Sequence, residues 1–155
     1  MLKHGADADA KALQQAVANS NKPIVRLLLK HRADANAYGG FYKTALQQAV
    51  AKSYKPVVRL LLKHRADVNA TGRYCNAPLL QAVENSNKPV VQLLLKHRAD
   101  VRAEGYSRNM IQTAVENSNK HVVRLLLKHR ADVNKKGRYY IYARYSRYLT
   151  TYRNY

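Results

Sequence analysis

The sequence predicts an all-α fold, an α-solenoid of stacked helix-turn-helix units, and two observations carry that prediction. The word Leu-Leu-Leu-Lys-His-Arg-Ala-Asp stands at Leu27 to Asp34, Leu60 to Asp67, Leu93 to Asp100 and Leu125 to Asp132, at steps of 33, 33 and 32 residues. A second anchor, the Ala-Val pairs at Ala16-Val17, Ala49-Val50, Ala82-Val83 and Ala114-Val115, keeps the same steps, so whole units recur rather than one short motif.

Within a unit, the first element is a short helix. In Ala45-Leu46-Gln47-Gln48-Ala49-Val50 small and apolar residues fall at helical spacing and allow close packing, after which polar Ser-Asn-type residues break the pattern and mark a turn. The second element starts near Pro56, which lacks an amide hydrogen that a first helical turn does not need. It continues as Val57-Val58-Arg59-Leu60-Leu61-Leu62, with Val57, Leu60 and Leu61 on one face, and ends at the basic Lys63-His64-Arg65. One such pair cannot bury its apolar stripe. Stacking a second pair on it removes Leu and Val side chains from water at about 1.5–3 kcal/mol each, so stability belongs to the array.

Composition bounds the function. A chain of 155 residues with 46% hydrophobic content suits one continuous core. The 28 Lys and Arg against 9 Asp and Glu give a formal charge of +19, which attracts acidic partners and, non-specifically, nucleic acid or anionic lipid. Cys75 is the single cysteine, so neither an internal disulfide nor a thiolate metal cluster can form, which fits a reducing, intracellular setting, cytoplasmic or nuclear. The start, Met1 to Gly5, lacks the apolar core of a secretion signal, and no apolar run approaches the ~20 residues of a membrane span.

These residues resemble the ankyrin repeat. The resemblance covers about residues 1 to 140 and rests on the period, on Val57-Val58-Arg59-Leu60-Leu61-Leu62, and on Ala66-Asp67-Val68-Asn69-Ala70 after the second helix. It implies projecting β-hairpin fingers that form a concave face with the first helices, a convex back of second helices, and protein binding in the concavity.

The departures are informative. The family's glycine after the second helix survives only as Gly5 and is replaced by Arg32, Arg65, Arg98 and Arg130. A left-handed backbone there costs each Arg about 1–2 kcal/mol more than Gly. The family's Thr-Pro-Leu-His start is eroded to Thr44-Ala45-Leu46-Gln47, Ala77-Pro78-Leu79-Leu80 and Asn109-Met110-Ile111-Gln112, which predicts a looser start to the first helices.

The units are expected at 11–37, lacking its finger, and at 38–70, 71–103 and 104–134. A partial repeat remnant precedes them at 1–10, where Met1 to Asp7 reads as the tail of an earlier second helix. Residues 135–155 are expected to hold a degenerate fifth finger and a Tyr/Arg-rich C-terminal tail or cap. Irregular ends expose apolar stacking surface and suit a fragment of a longer ankyrin protein as well as a capped array. The tail reads two ways. Ile141, Tyr145, Tyr148, Leu149 and Tyr152 recur at the spacing of an amphipathic capping helix; alternatively, its rings and guanidinium groups form an arm that stacks on bases and meets phosphates.

Two sets of site residues follow. The fingers carry Tyr38, Phe41, Tyr42, Lys43, Arg73, Tyr74, Tyr106, Arg108, Arg138 and Tyr139, of the residue types that dominate interface energetics, and these are the candidate partner contacts; packing on neighbouring fingers is the competing role. The Lys-His-Arg ladder places Lys30, Arg32, Lys63, Arg65, Lys96, Arg98, Lys128 and Arg130 at second-helix C-termini, where cations suit the helix dipole. With units stacked at about 8–10 Å, the ladder also forms a positive ridge that could lie along phosphates. The repeated His4, His31, His64, His97 and His129 are one repeat apart, several ångströms too far to share an ion held at about 2.0–2.1 Å, so no metal or cofactor is expected.

Catalysis has no basis in the sequence. Asp7, Asp34, Asp67, Asp100 and Asp132 share one turn position, and Glu84 and Glu116 sit about one repeat apart, too distant for a carboxylate pair. Cys75 lies in no nucleophile motif, and no glycine-rich phosphate loop occurs. The sequence therefore reads as a monomeric, non-enzymatic scaffold that holds an acidic protein in its concave face. Binding of nucleic acid or an anionic surface through the ladder and tail is the alternative.

Overall fold

The computed structural model describes residues 3–39, 44–71, 76–103 and 109–132, with side chains from residue 9 onward. Eight helices occupy these segments: α1 (Lys3–Ala18), α2 (Lys22–Lys30), α3 (Ala45–Ala51), α4 (Lys55–Lys63), α5 (Pro78–Glu84), α6 (Lys88–Lys96), α7 (Met110–Glu116) and α8 (Lys120–Lys128). Each odd-numbered helix packs on the even-numbered helix that follows it. The odd helices stack in succession as one layer, and the even helices as the other. This is the all-α repeat stack that the 33-residue period predicts. Among the described residues there is no strand. The finger tips, expected as β-hairpins, lie outside them.

The core lies between the layers and between neighbouring units. Ala16, Ala49, Ala82 and Ala114 are buried at one repeat position, where a small side chain lets first helices approach closely. Leu46, Val57, Val58, Leu61, Leu79, Val90, Val91 and Leu94 are fully buried around them. At the ends the same positions lose their neighbours. Ile24, the equivalent of buried Val57, is 46% exposed, and Val115, the equivalent of buried Val50, is 57% exposed. The described stack thus ends in apolar faces on both sides, as the irregular ends predict.

Second helices start with a side-chain cap where the residue allows it. Asn21, Asn87 and Asn119 accept hydrogen bonds from the amides of Ile24, Val90 and Val122, which satisfies one otherwise orphaned donor each. They end in a tight left-handed turn. Arg65 has φ 62°; its amide donates to the Leu62 carbonyl and the Ala66 amide to the Leu61 carbonyl, the bond pair of a Schellman motif. Arg32, Arg98 and Arg130 repeat this geometry at φ 67°, 64° and 63°. Gly5 is not at such a turn but inside α1, which runs unbroken from Lys3 to Ala18.

A second set of left-handed residues lies between the helices of each unit. Ser20, Ser53, Ser86 and Ser118 have φ between 52° and 55°. The Ser53 amide donates to the Val50 carbonyl and the Tyr54 amide to the Ala49 carbonyl, so the first helix also closes with a Schellman motif. The polar break predicts a turn here, but nothing in Ser-Asn composition specifies its sign of φ.

The expected looseness at first-helix starts does not hold in the second unit. Thr44 Oγ1 accepts from the Gln47 amide at 3.3 Å and Gln47 Oε1 accepts from the Thr44 amide at 2.8 Å, a complete capping box. Gln47 then donates from Nε2 to the carbonyls of Ala70 and Asn76, at 3.1 and 3.2 Å. It stands where the family pattern has histidine, and it ties the helix start to the loops around the next finger. Asn109 caps α7 through the Gln112 amide, whereas Ala77 gives α5 no side-chain cap.

Candidate functional site

Of the candidate contact residues on the fingers, Tyr38 lies within the described residues. Phe41, Tyr42, Lys43, Arg73, Tyr74, Tyr106, Arg108, Arg138 and Tyr139 lie outside them, as do the tail and Cys75. Tyr38 is 56% exposed, yet its hydroxyl donates to the Thr71 carbonyl, one repeat on, at 3.1 Å. The hydroxyl is thus fixed against the neighbouring unit, the packing role expected of the fingers, while more than half of the residue stays exposed. In the first-helix layer, Gln48 Oε1 is a buried acceptor with no hydrogen-bond partner. Its repeat equivalents, Gln15 and Gln81, donate from Nε2 to Asn19 Oδ1 and Asn85 Oδ1, four residues further along, where Gln48 has Lys52.

The loops between units are held by asparagines. Asn36 donates from Nδ2 to the Arg65 carbonyl and accepts from the Asp67 amide, and Asn69 accepts from the Asp100 amide at 2.8 Å. Asp34, Asp67 and Asp100 each accept the amide two residues on, the turn role expected of the repeated aspartates, whereas Asp7 falls inside α1 rather than in a turn. Asn85 and Asn117 bridge back to the ends of the preceding first helices, Asn85 to the Val50 and Ala51 carbonyls and Asn117 to those of Val83 and Glu84. These bonds tie the loops and turns of neighbouring units to one another.

All eight ladder cations, Lys30, Arg32, Lys63, Arg65, Lys96, Arg98, Lys128 and Arg130, are exposed. Each Lys closes the last turn of its helix and the following His is the C-cap, so the positive charge sits beside the negative end of the helix dipole.

The ladder is only part of the basic surface. Lys22, Arg26 and Lys30 lie four residues apart along α2, Lys55, Arg59 and Lys63 along α4, and Lys120, Arg124 and Lys128 along α8; α6 has Lys88, Gln92 and Lys96. Residues four apart share a helix face. Between α2 and α4 the rows flank a groove of ≈ 540 Å³ lined by Lys22, Arg26, Lys55, Arg59 and Lys63, with Leu60 and Pro56 completing the wall and no acid among the lining residues. The repeated Lys-His-Arg word does not include Lys22, Arg26, Lys55, Arg59, Lys88, Lys120 or Arg124, the earlier cations of the rows. The signal for them is a basic residue at every fourth position of α2, α4 and α8, interrupted in α6 by Gln92.

Among the described residues, no three His, Cys, Asp or Glu side chains gather as a metal-holding group, and no helix is long and apolar enough to cross a membrane. The arrangement offers surfaces: an aromatic anchored at a finger base, an asparagine-braced loop edge, and a cation-lined groove on the other helix layer. A family model described as ankyrin repeats (3 copies) matches residues 1–72 and 73–137. No curated protein matches the chain.

Proposed function

Since this chain belongs to the ankyrin repeat family, whose members are generally protein-interaction scaffolds and typically not enzymes, we propose that it binds an acidic protein segment against its fingers and first helices. The observation that carries this reading is Tyr38. The residue is more than half exposed, and its hydroxyl is already bonded to the Thr71 carbonyl of the next unit. An aromatic held in place before binding loses little rotamer freedom on contact, which is how such residues come to dominate interface energy. The +19 charge draws acidic chains to the surface and speeds their capture, while the aromatic contacts select among them.

The test is selection of peptides from a random display library on the immobilised protein, each selected peptide then being titrated against wild type and Tyr38→Ala. The reading expects peptides rich in Asp and Glu that carry an aromatic or aliphatic anchor and bind the variant at least about tenfold more weakly. Peptides without acidic bias, or acidic peptides indifferent to Tyr38, contradict it.

A further inference from the structure

We propose that the groove between α2 and α4 binds the phosphate backbone of single-stranded nucleic acid without reading its sequence. This is a second binding activity, on the opposite helix layer from the protein-binding face, and it does not depend on that reading. Lys22, Arg26, Lys55, Arg59 and Lys63 surround a groove of ≈ 540 Å³. α2 and α4 contain no acid, so their charge is not neutralised along their own length.

The pattern of charge points to a phosphate chain. Cations four residues apart on a helix are about 6 Å apart along its axis, at 1.5 Å rise per residue, and the two rows face one another across the groove. That is a regular, single-sign lattice, suited to a polymer with one negative charge per repeating unit. The groove lining has no aromatic ring, amide or hydroxyl side chain that would discriminate one peptide or base from another. Backbone phosphates need none, because Arg and Lys contacts to them fix position and carry no sequence information. A bilayer is the poorer fit: its headgroups present a flat surface, whereas Lys22 and Lys55 are half-buried in the recess, within reach of a strand lying in it.

A second observation is independent of the groove. Arg32, Arg65, Arg98 and Arg130 are exposed and all occupy left-handed backbone, where glycine would relieve strain. A cation at four successive strained positions, two of them just past α2 and α4, is the kind of outlier from which a binding role is inferred.

The experiment is fluorescence anisotropy of a labelled oligothymidylate of about 15 nucleotides, within the span of a typical single-strand site, titrated with the full chain across a salt series. Five phosphate contacts on a single strand give a slope of log K against log salt of about −3.5, a loss of roughly 100-fold between about 50 and 200 mM salt. The variant Arg26→Gln/Lys55→Gln/Arg59→Gln should flatten the slope by about 2. All three changes are at exposed or half-buried side chains, and an unchanged melting temperature confirms that the variant is folded. An unchanged slope in the triple variant overturns the proposal. So does a polyglutamate peptide, or a phosphatidylserine vesicle, that competes for the groove as well as the oligonucleotide does; either outcome assigns the charge to acidic protein or to membrane.

Discussion

Asn36 and Asp67 are joined across the boundary between two units: Asn36 Oδ1 accepts from the Asp67 amide at 2.7 Å, while Asn36 Nδ2 donates to the Arg65 carbonyl at 3.2 Å. One amide side chain thus brackets the left-handed turn at Arg65, accepting just after it and donating at it. The bracket holds in place a conformation that arginine disfavours, and Asn69 repeats the contact to Asp100 in the next unit.

Asn36→Ala should therefore destabilise the chain by more than an ordinary surface change. Two hydrogen bonds at about 0.5–1.5 kcal/mol each are lost, and with them the restraint on Arg65. We expect about 1–2.5 kcal/mol in urea denaturation. A loss under about 0.5 kcal/mol, typical of an unremarkable surface site, would show that the bracket contributes nothing.

Arg65→Gly and Arg98→Gly should raise stability. Both residues have positive φ, and relief of a left-handed β-carbon is worth about 1–2 kcal/mol, less the greater entropy that glycine gives the unfolded chain. The Asn36 bond to the residue 65 carbonyl survives the change, because it is made to backbone. For a chain of this size a net gain of about 1 kcal/mol raises Tm by about 2–4 °C; a lower Tm in calorimetry would contradict the backbone argument.

Gln47→Ala should be among the costlier single substitutions in the second unit. It removes half of the capping box with Thr44 and leaves the Ala70 and Asn76 carbonyls without this donor. The expected loss is about 2–4 kcal/mol, from unsatisfied groups at about 1–3 kcal/mol each partly offset by water reaching the loop. Gln47→His, the residue of the family pattern, should recover part of it.

The fold was legible because its signals are local and repeated. Leu61 and Ala49 recur one period apart with their neighbours intact, and burial of both follows from helical spacing alone. The contacts that brace the loops were not legible in the same way. The partners of Asn36 and Asn69 lie 31 residues further on, so reading one unit at a time assigns these asparagines to a turn and stops there. The left-handed arginines could be foreseen from the family's glycine, but the left-handed serines could not be read from polarity. Tyr38 was legible as a contact candidate; that its hydroxyl is fixed to Thr71 depends on stacking geometry that residue type does not encode.

Stability should also be graded along the stack. Val57 and Val58 of α4, and Val90 and Val91 of α6, are buried, whereas Ile24 of α2 and Leu127 of α8 are 46% and 44% exposed. In a repeat array each unit is stabilised by its neighbours, so the outer helices should open first. Hydrogen exchange should show slower amides in α4 and α6 than in α2 and α8; uniform protection across all four would indicate one all-or-none unit.

Which face takes a protein partner is tested most directly by amide chemical-shift mapping of the labelled chain with a selected acidic peptide. The predicted shifts cluster at Ala37, Tyr38, Thr71 and the first-helix residues around Gln48 and Gln81. Shifts confined to Lys22 through Lys30 and Lys55 through Lys63 would contradict it, and would make the cationic groove the protein-binding site instead.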